Sequence, residues 1–151
     1  MKLHFDPNQQ FQKDAINSIV GIFEGQSLNQ GDFSFSLSSD NYTHQNGAIS
    51  NQLEISEKQI LKNVQEVQKK NDLNISDKLD GMNFSTEMET GTGKTYVYLR
   101  TIYELNKEYG FKKFVIVVPS IAIREGVLKN LEITFEHFQN LYDKTPVNFD
   151  V

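Results

Sequence analysis

A short glycine-containing stretch limits, more than any other feature, what this chain can fold into. Residues 87–96 read EMETGTGKTY, in which two glycines and a Lys-Thr pair lie between an apolar run and a segment of helical composition. A tight turn from a strand into a helix directs consecutive backbone N–H groups at one point, where the helix N-terminus adds a partial positive charge. The stretch is therefore predicted to be a loop that binds phosphate groups.

The residue types of this loop suit the triphosphate of ATP together with Mg²⁺, the two expected cofactors. Gly91 and Gly93 permit the backbone angles and the close approach that phosphate binding needs. Lys94 is expected to reach the β- and γ-phosphates, and the Thr95 hydroxyl to coordinate Mg²⁺. The full eight-residue motif has a glycine where Met88 stands, so the match depends on Gly91, Gly93, Lys94 and Thr95. The predicted nucleotide-binding residues of the loop are Thr90, Gly91, Thr92, Gly93, Lys94 and Thr95.

The pattern around the loop predicts the fold class, an α/β protein. Residues 82–88 and the β-branched run 114–118 are expected to be strands, and a helix is expected after each. The first helix would span residues 94–109, and the second would extend from Ser120 to about Tyr142 with a break at Gly126. Alternation of strand and helix implies a parallel sheet with right-handed crossovers. We therefore predict a partial P-loop NTPase (RecA-like) parallel sheet flanked by helices.

Two further helices and a polar insertion are predicted before the loop. A helix is expected from Asp6, which would cap it, to about Phe23. Ser56 and Gln59 form a capping box that predicts the start of a second helix. Residues 26–55, between these helices, are rich in Ser, Asn, Gln and Gly and are interpreted as an inserted hairpin or excursion.

Composition limits the classes of protein to which the chain can belong. The chain of 151 residues contains no cysteine, which excludes disulfides and zinc–thiolate sites. No stretch approaches the roughly 18 uninterrupted apolar residues of a membrane helix, so no membrane association and a cytoplasmic location are expected. The net charge of −5 argues against a chain wrapped entirely around nucleic acid, although a local basic groove remains compatible with it.

Two flanking stretches contain candidate recognition residues. Gln12 lies near the start of the first predicted helix, and its amide has the donor and the acceptor that an adenine edge requires. Ser120 and Arg124 follow the second predicted strand, at the edge where open α/β sheets bind ligands, and such side chains suit nucleic-acid phosphates. A solvated glutamine and an ordinary arginine of a helix surface remain the alternatives.

Three stretches in this order, FQKDAI, METGTGKT and FVIVVPSIAIREGV, resemble the start of the restriction subunit of type III restriction-modification enzymes, within the superfamily 2 helicases and translocases. The resemblance implies that Gln12 recognises adenine, that residues 91–95 bind the triphosphate, and that Pro119, Ser120 and Arg124 lie beside the DNA path. In that family ATP hydrolysis drives movement along double-stranded DNA, a separate endonuclease domain cuts, and a methyltransferase partner recognises the site.

The same resemblance implies that residues 1–151 are the N-terminal part of the first RecA-like motor lobe, with residues 26–55 as an insertion. The sequence pattern itself predicts that residues 145–151 begin another strand. Hydrolysis in such motors needs an acidic pair and arginines from a second lobe. No apolar strand in this sequence ends in adjacent Asp-Glu. We expect the chain alone to show negligible DNA-stimulated ATPase activity and no nuclease activity, although the parent protein is expected to be an ATP-dependent endonuclease.

Two other interpretations stay open. A kinase or a GTPase-like switch would keep the loop, but the guanine-reading pattern Asn-Lys-x-Asp is absent from the sequence. An inactive, truncated domain would serve only in folding or interaction. Nucleotide preference separates the first of these from an ATP-dependent motor, and a lack of any nucleotide binding would favour the second.

Overall fold

Helices form all the regular secondary structure in the part of the chain that the computed structural model describes, residues 4–28 and 51–145. The first helix, α1, spans Gln10–Val20 and continues into a short 3-10 helix, Gly21–Phe23. Three more helices follow, α2 over Glu57–Lys70, α3 over Lys94–Tyr109 and α4 over Ile121–Leu141. Most of the predicted 26–55 insertion and most of the predicted strand at 145–151 lie outside the described residues.

The predicted parallel α/β sheet is wrong for the described residues, which contain four α-helices and no strand. Both segments expected to be strands, 82–88 and 114–118, lack regular structure. Val115 and Val117 are 88% and 87% exposed, although a strand buried on both faces would cover them. The physical reason is that β-branched composition gives only a preference for extended backbone, whereas a strand exists through pairing with a neighbour. Neither segment has such a neighbour among the described residues.

The helix after the glycine loop has the predicted bounds. α3 begins after Gly93, whose φ of 84° is left-handed, and ends at Gly110, whose φ of 70° is also left-handed. The backbone N–H of Gly110 donates to the carbonyl of Asn106 at 2.8 Å, which satisfies one of the free carbonyls at the helix end. Local chemistry at both ends therefore sets the length of this helix.

The first helix begins later than predicted. Asp6 does not cap α1, because its carboxylate accepts a hydrogen bond from the backbone N–H of Asn8 at 2.9 Å. That bond closes a turn ahead of the helix, and α1 starts only at Gln10, with Gln9 as an N-cap whose side chain makes no capping bond. The prediction that the helical region extends to Phe23 is confirmed if the 3-10 turn is included.

Of the capping box predicted at the start of α2, the structure contains the Ser56 cap but not the return bond from Gln59. The Ser56 hydroxyl accepts from the backbone N–H of Gln59 at 3.3 Å. The Gln59 side chain donates forward to Asn63 at 2.8 Å and does not return to the cap. Asn63 is buried, and its amide donates to the carbonyls of Ile22 at 2.9 Å and Glu24 at 2.8 Å, which fixes α2 against the 3-10 helix.

The core lies on two sides of α3. On one side Val97 packs against Ala15 and Ile16 of α1. On the other side aromatic rings of α3 and α4 interlock, and Tyr103 lies 4.9 Å from the ring centroids of both Phe138 and Tyr142. Tyr96 and Tyr103 of α3 are thus part of the core, and the first turn of α3 is held between two helices.

The last helix runs through Gly126 without the predicted break. A glycine in a helix interior costs about 1 kcal/mol relative to alanine. Burial of Val127, Thr134 and Phe138 on the inner face of α4 outweighs that cost, because a buried apolar side chain contributes roughly 1.5–3 kcal/mol. The Ser120 hydroxyl caps the helix by accepting from the backbone N–H of Ile123 at 3.3 Å.

Candidate functional site

The glycine loop turns directly into α3 with two residues in left-handed backbone conformation. Gly91 has a φ of 82° and Gly93 a φ of 84°, angles that side chains with a Cβ rarely adopt. The first backbone N–H groups of α3 have no partner within the helix, as at every helix start. The loop therefore presents free donors and the positive end of the helix dipole at one point, an arrangement that binds anions.

The ammonium group of Lys94 lies at the loop itself. Its Nζ donates to the carbonyl oxygens of Met88 at 3.0 Å and Glu89 at 2.8 Å. The Thr92 hydroxyl also donates to the Glu89 carbonyl, at 2.7 Å. The loop is thus closed by its own side chains. Lys94 and Thr90 are exposed, whereas Thr95 in the first turn of α3 is half-buried.

The structure brings Gln12 to the loop across 80 residues of sequence. This buried side chain, only 8% exposed, donates from Nε2 to the carbonyl of Thr92 at 3.0 Å. A Cβ at Gly93 would lie 2.7 Å from the same nitrogen. Gly93 therefore has two physical reasons to be glycine, its backbone angle and the space that Gln12 occupies. Sequence reasoning found Gln12 but missed this contact, because nothing local in the sequence indicates it.

The residues predicted to lie beside a DNA path form a separate, exposed set. Pro119, Ser120 and Arg124 are all exposed. The Ser120 hydroxyl is occupied as the cap of α4, and the Arg124 guanidinium pairs with its neighbour Glu125 at 3.0 Å. The side chains of Ser120 and Arg124 thus bond to residues at the start of α4, and the structure does not bring them to the glycine loop as it does Gln12.

Comparison with known proteins identifies the family. The family model of the type III restriction enzyme, Res subunit, matches residues 9–146, nearly the whole chain. The chain belongs to the type III restriction enzyme Res subunit family. The resemblance seen in the three sequence stretches is thereby confirmed.

Three curated Res subunits are similar to this chain. The EcoPI Res subunit of Escherichia phage P1 is 32% identical over 146 residues, which is 93% of this chain and 14% of that protein. The EcoP15I Res subunit of Escherichia coli is 39% identical over 100 residues, 62% of this chain and 10% of the relative. The StyLTI Res subunit of Salmonella typhimurium is 48% identical over 68 residues, 44% of this chain and 7% of the relative. The matched region thus spans a seventh or less of each relative.

A buried polar cluster around Arg100 of α3 was not predicted from the sequence. Arg100 is buried beside Glu104, four residues further along α3, with Nε 3.6 Å from the Glu104 carboxylate. The Arg100 guanidinium also donates to Tyr142, the residue that follows α4, at 3.2 Å and to the carbonyl of Pro7 at 2.6 Å. The sequence held one signal of this cluster, because the Arg–Glu pair at helical spacing lies among the apolar and aromatic residues of α3.

A second polar contact joins the first turn of α3 to α4. The Tyr96 hydroxyl lies 2.9 Å from Nε2 of His137. Burial, followed by the charges of Arg100 and His4, lowers the pKa of His137 below its ordinary value of 6.5. The neutral imidazole is therefore the form that the folded Res-family chain favours.

Acidification is expected to destabilise the fold through His137. The unfolded chain protonates this histidine near pH 6.5, whereas the folded chain does so only at lower pH, so the unfolded state binds more protons in between. Stability contributed by the neutral ring is present above about pH 6.5 and falls as the pH decreases toward the folded-state pKa. Urea unfolding at pH 7.5 and 5.5 measures this, and His137→Gln should show a smaller loss between the two pH values. An equal loss in parent and variant would assign the pH dependence to other groups.

Membrane spans and metal clusters are both absent from the described ranges of this Res-family chain. None of the described helices is long and apolar enough to cross a lipid bilayer. Residues 4–28 and 51–145 contain no cluster of three or more His, Asp or Glu side chains suited to holding a metal ion.

Proposed function

We propose that this chain binds Mg-ATP at the glycine loop and forms the nucleotide-binding part of a Res subunit. The adenine is recognised by Gln12, the triphosphate by residues 90–95, and Mg²⁺ by the Thr95 hydroxyl. The family relationship supports the coarse assignment, because each of the similar proteins is a Res subunit of a type III restriction-modification enzyme. The ligand and the roles of individual residues are supported by the geometry of the loop.

The observation that carries the proposal is the position of Gln12. A glutamine of α1 with no role at the loop would be solvated, as Gln10 is when it donates to Asp14 on the exposed face of the helix. Gln12 is instead buried and bonded to the loop carbonyl of Thr92. An amide has two N–H donors and an acceptor oxygen, so one donor can hold the loop while the remaining groups face an adenine edge. The residue thus links base and phosphate recognition.

The phosphate side of the proposal depends on Lys94 and the start of α3. Lys94 Nζ lies within 3.0 Å of two loop carbonyls, so its positive charge is already at the loop. Backbone donors at the start of α3 supply further hydrogen bonds to phosphate oxygens. The half-buried Thr95 hydroxyl follows directly and suits a magnesium ion that also contacts the β- and γ-phosphates. This donor set fits a hydrated Mg²⁺ bound mainly through nucleotide.

For the whole protein we propose movement along double-stranded DNA with a methyltransferase partner, as the resemblance implies. Pro119, Ser120 and Arg124 are proposed to lie beside the DNA. Their exposure supports this role, and an arginine paired with Glu125 on the surface is held only weakly, so it can exchange that partner for a phosphate. A separate nuclease domain would carry out the cleavage.

Selective stabilisation by Mg-ATP tests the proposed function. A ligand that binds only the folded state stabilises it by about 2.7 kcal/mol at a concentration of about 100 times its Kd, which is visible as a rise in melting temperature. We expect Mg-ATP to produce this rise at lower concentration than Mg-GTP. Gln12→Ala should reduce the affinity for Mg-ATP by about tenfold and remove the preference, because it deletes the base contact.

Gln10→Ala is the matched control for this titration. It deletes a glutamine of the same helix whose amide contacts only the exposed Asp14. The control should bind both nucleotides as the parent does. Equal stabilisation of the parent by Mg-ATP and Mg-GTP would contradict adenine recognition, and no stabilisation by either would contradict nucleotide binding by this chain.

A further inference from the structure

Arg100 is a buried cation on the helix that starts at the glycine loop, and nucleotide binding as proposed gives it no role. Only 8% of Arg100 is exposed. Its Nη1 donates to the carbonyl of Pro7 at 2.6 Å, and its Nε donates to the hydroxyl of Tyr142 at 3.2 Å. Tyr142 donates in turn to the carboxylate of Glu104 at 2.7 Å. The guanidinium therefore joins three parts of the chain, the segment before α1, the helix α3 and the end of α4.

The charge of Arg100 persists in this buried position. Burial by itself lowers the pKa of an arginine, but the hydrogen bond to Tyr142 and the electrostatic effects of Tyr142, Tyr96 and Glu104 together more than offset it and raise the pKa of Arg100. Hydrogen bonds from an ionised donor are roughly twice as strong as neutral ones. The bond from Arg100 to the Pro7 carbonyl is thus a strong tie across 93 residues of sequence.

The Pro7 carbonyl belongs to a turn that leads directly into α1. The carboxylate of Asp6 accepts from the backbone N–H of Asn8 at 2.9 Å, and Lys13 Nζ donates to the Asn8 side chain at 3.0 Å. These bonds connect the turn to the first turn of α1, so the two move together. Gln12 lies in that part of α1, and its amide reaches the loop. The Pro7 carbonyl and the Gln12 amide are therefore connected through one turn and the helix start that follows it.

We propose that Arg100 is a positioning residue for adenine recognition, which sets the place of the Gln12 amide beside the loop by holding the Pro7 carbonyl. This inference depends on the proposed binding of Mg-ATP. It extends that function by connecting the base-recognition residue to α4 through Tyr142. The triphosphate contacts do not pass through this tie, because the loop leads directly into α3 and Lys94 is the first residue of that helix.

The inference predicts a selective change in nucleotide preference. Arg100→Gln should lower the affinity for Mg-ATP by about tenfold, as the loss of one charge-assisted hydrogen bond implies. The affinity for Mg-GTP should stay within about twofold of the parent's. Gln12 does not recognise guanine, so GTP is held mainly through its phosphates. A purely structural role of Arg100 would weaken both nucleotides equally. Isothermal titration of the 151-residue chain with each nucleotide measures the ratio of the two affinities.

Tyr109→Phe is the matched control, since it deletes another side-chain hydrogen bond from α3 to a backbone carbonyl, at the other end of α1. Tyr109 of α3 donates to the carbonyl of Val20 at 3.0 Å. This variant should lower the melting temperature but keep the parent's ratio of ATP to GTP affinity.

Tyr142→Phe is a second test, which keeps the bond from Arg100 to Pro7 but removes the hydroxyl that orients the guanidinium. It should reduce the ratio in the same direction and by a smaller factor, and it applies even if Arg100→Gln does not fold.

The outcomes separate the positioning role from the proposed function. A parent that prefers Mg-ATP, together with Arg100 and Tyr142 variants that keep this preference or lose both affinities equally, would overturn the positioning role alone. A parent that binds neither nucleotide, or both equally, would overturn adenine-specific binding and the positioning role with it. A ratio that falls in Arg100→Gln and Tyr142→Phe but not in Tyr109→Phe supports the assignment.

Discussion

Lys94→Ala is expected to lower the affinity of the chain for Mg-ATP by about 100-fold. The Lys94 ammonium lies at the loop, where two carbonyl oxygens accept its hydrogen bonds. A charge-assisted hydrogen bond contributes roughly 1.5–3 kcal/mol, and contacts to two phosphates together give about 3 kcal/mol, which corresponds to the stated factor. Isothermal titration with Mg-ATP measures the difference, and at about 10 times the parent's Kd the variant should show little binding.

The stability of the chain without nucleotide should change little in this variant. Lys94 is exposed, and a hydrogen bond that water can replace contributes about 1 kcal/mol or less. Lys62→Ala is the matched control, because Lys62 is an exposed lysine of α2 that lies 3.9 Å from Glu66 and far from the loop in sequence. The control should bind Mg-ATP as the parent does. If Lys94→Ala bound Mg-ATP within about threefold of the parent, the loop would not hold the phosphates.

Helix ends could be predicted from the sequence where the chemistry that sets them is local. α3 begins after Gly93 and ends at Gly110, as expected from glycines that adopt left-handed angles. The Ser56 cap of α2 was equally predictable, because the cap and its partner are three residues apart. Asp6 shows the limit of the same reasoning, since its carboxylate closes a turn with Asn8 and the helix begins later.

The sheet could not be predicted correctly, because a strand depends on partners that a local pattern does not contain. The run at residues 114–118 has the composition of a buried strand, but Val115 and Val117 are almost fully exposed. Periodicity and β-branching indicate the surface that a strand would present and say nothing about what covers it. The same physical limit explains Gly126, whose cost in a helix is small compared with the packing of α4.

In the candidate site too, features set by neighbouring residues could be predicted from the sequence, and contacts between distant residues could not. The residue types of the loop, Gly91 to Thr95, follow from the chemistry of phosphate binding and are evident in the sequence. The contact of Gln12 with Thr92 and the bond of Arg100 to Pro7 join residues separated by 80 and 93 positions. Such contacts arise only when α1 packs on α3, so they required the structure.

Gly93→Ala is expected to lower the free energy of unfolding more than any other substitution that adds one methyl group to the loop. Gly93 has a φ of 84°, and an alanine in that backbone region costs about 1–2 kcal/mol. The added Cβ would also lie 2.7 Å from Nε2 of Gln12. Because Gln12 has a flexible side chain, the amide moves away and its bond to Thr92 is lost. A buried amide without its partner costs about 1–3 kcal/mol more.

Gly91→Ala separates the two contributions, because the two glycines share one backbone conformation but differ in their surroundings. Gly91 has a φ of 82°, and no neighbouring atom lies within 4 Å of the position that an added Cβ would take. Urea unfolding should show Gly91→Ala losing only the backbone contribution and Gly93→Ala losing about 1–3 kcal/mol more. Gly93→Ala should also lose the preference for Mg-ATP over Mg-GTP. Equal costs for the two variants would mean that the Gln12 amide contributes nothing to holding the loop, and the geometric argument for base recognition would then fail.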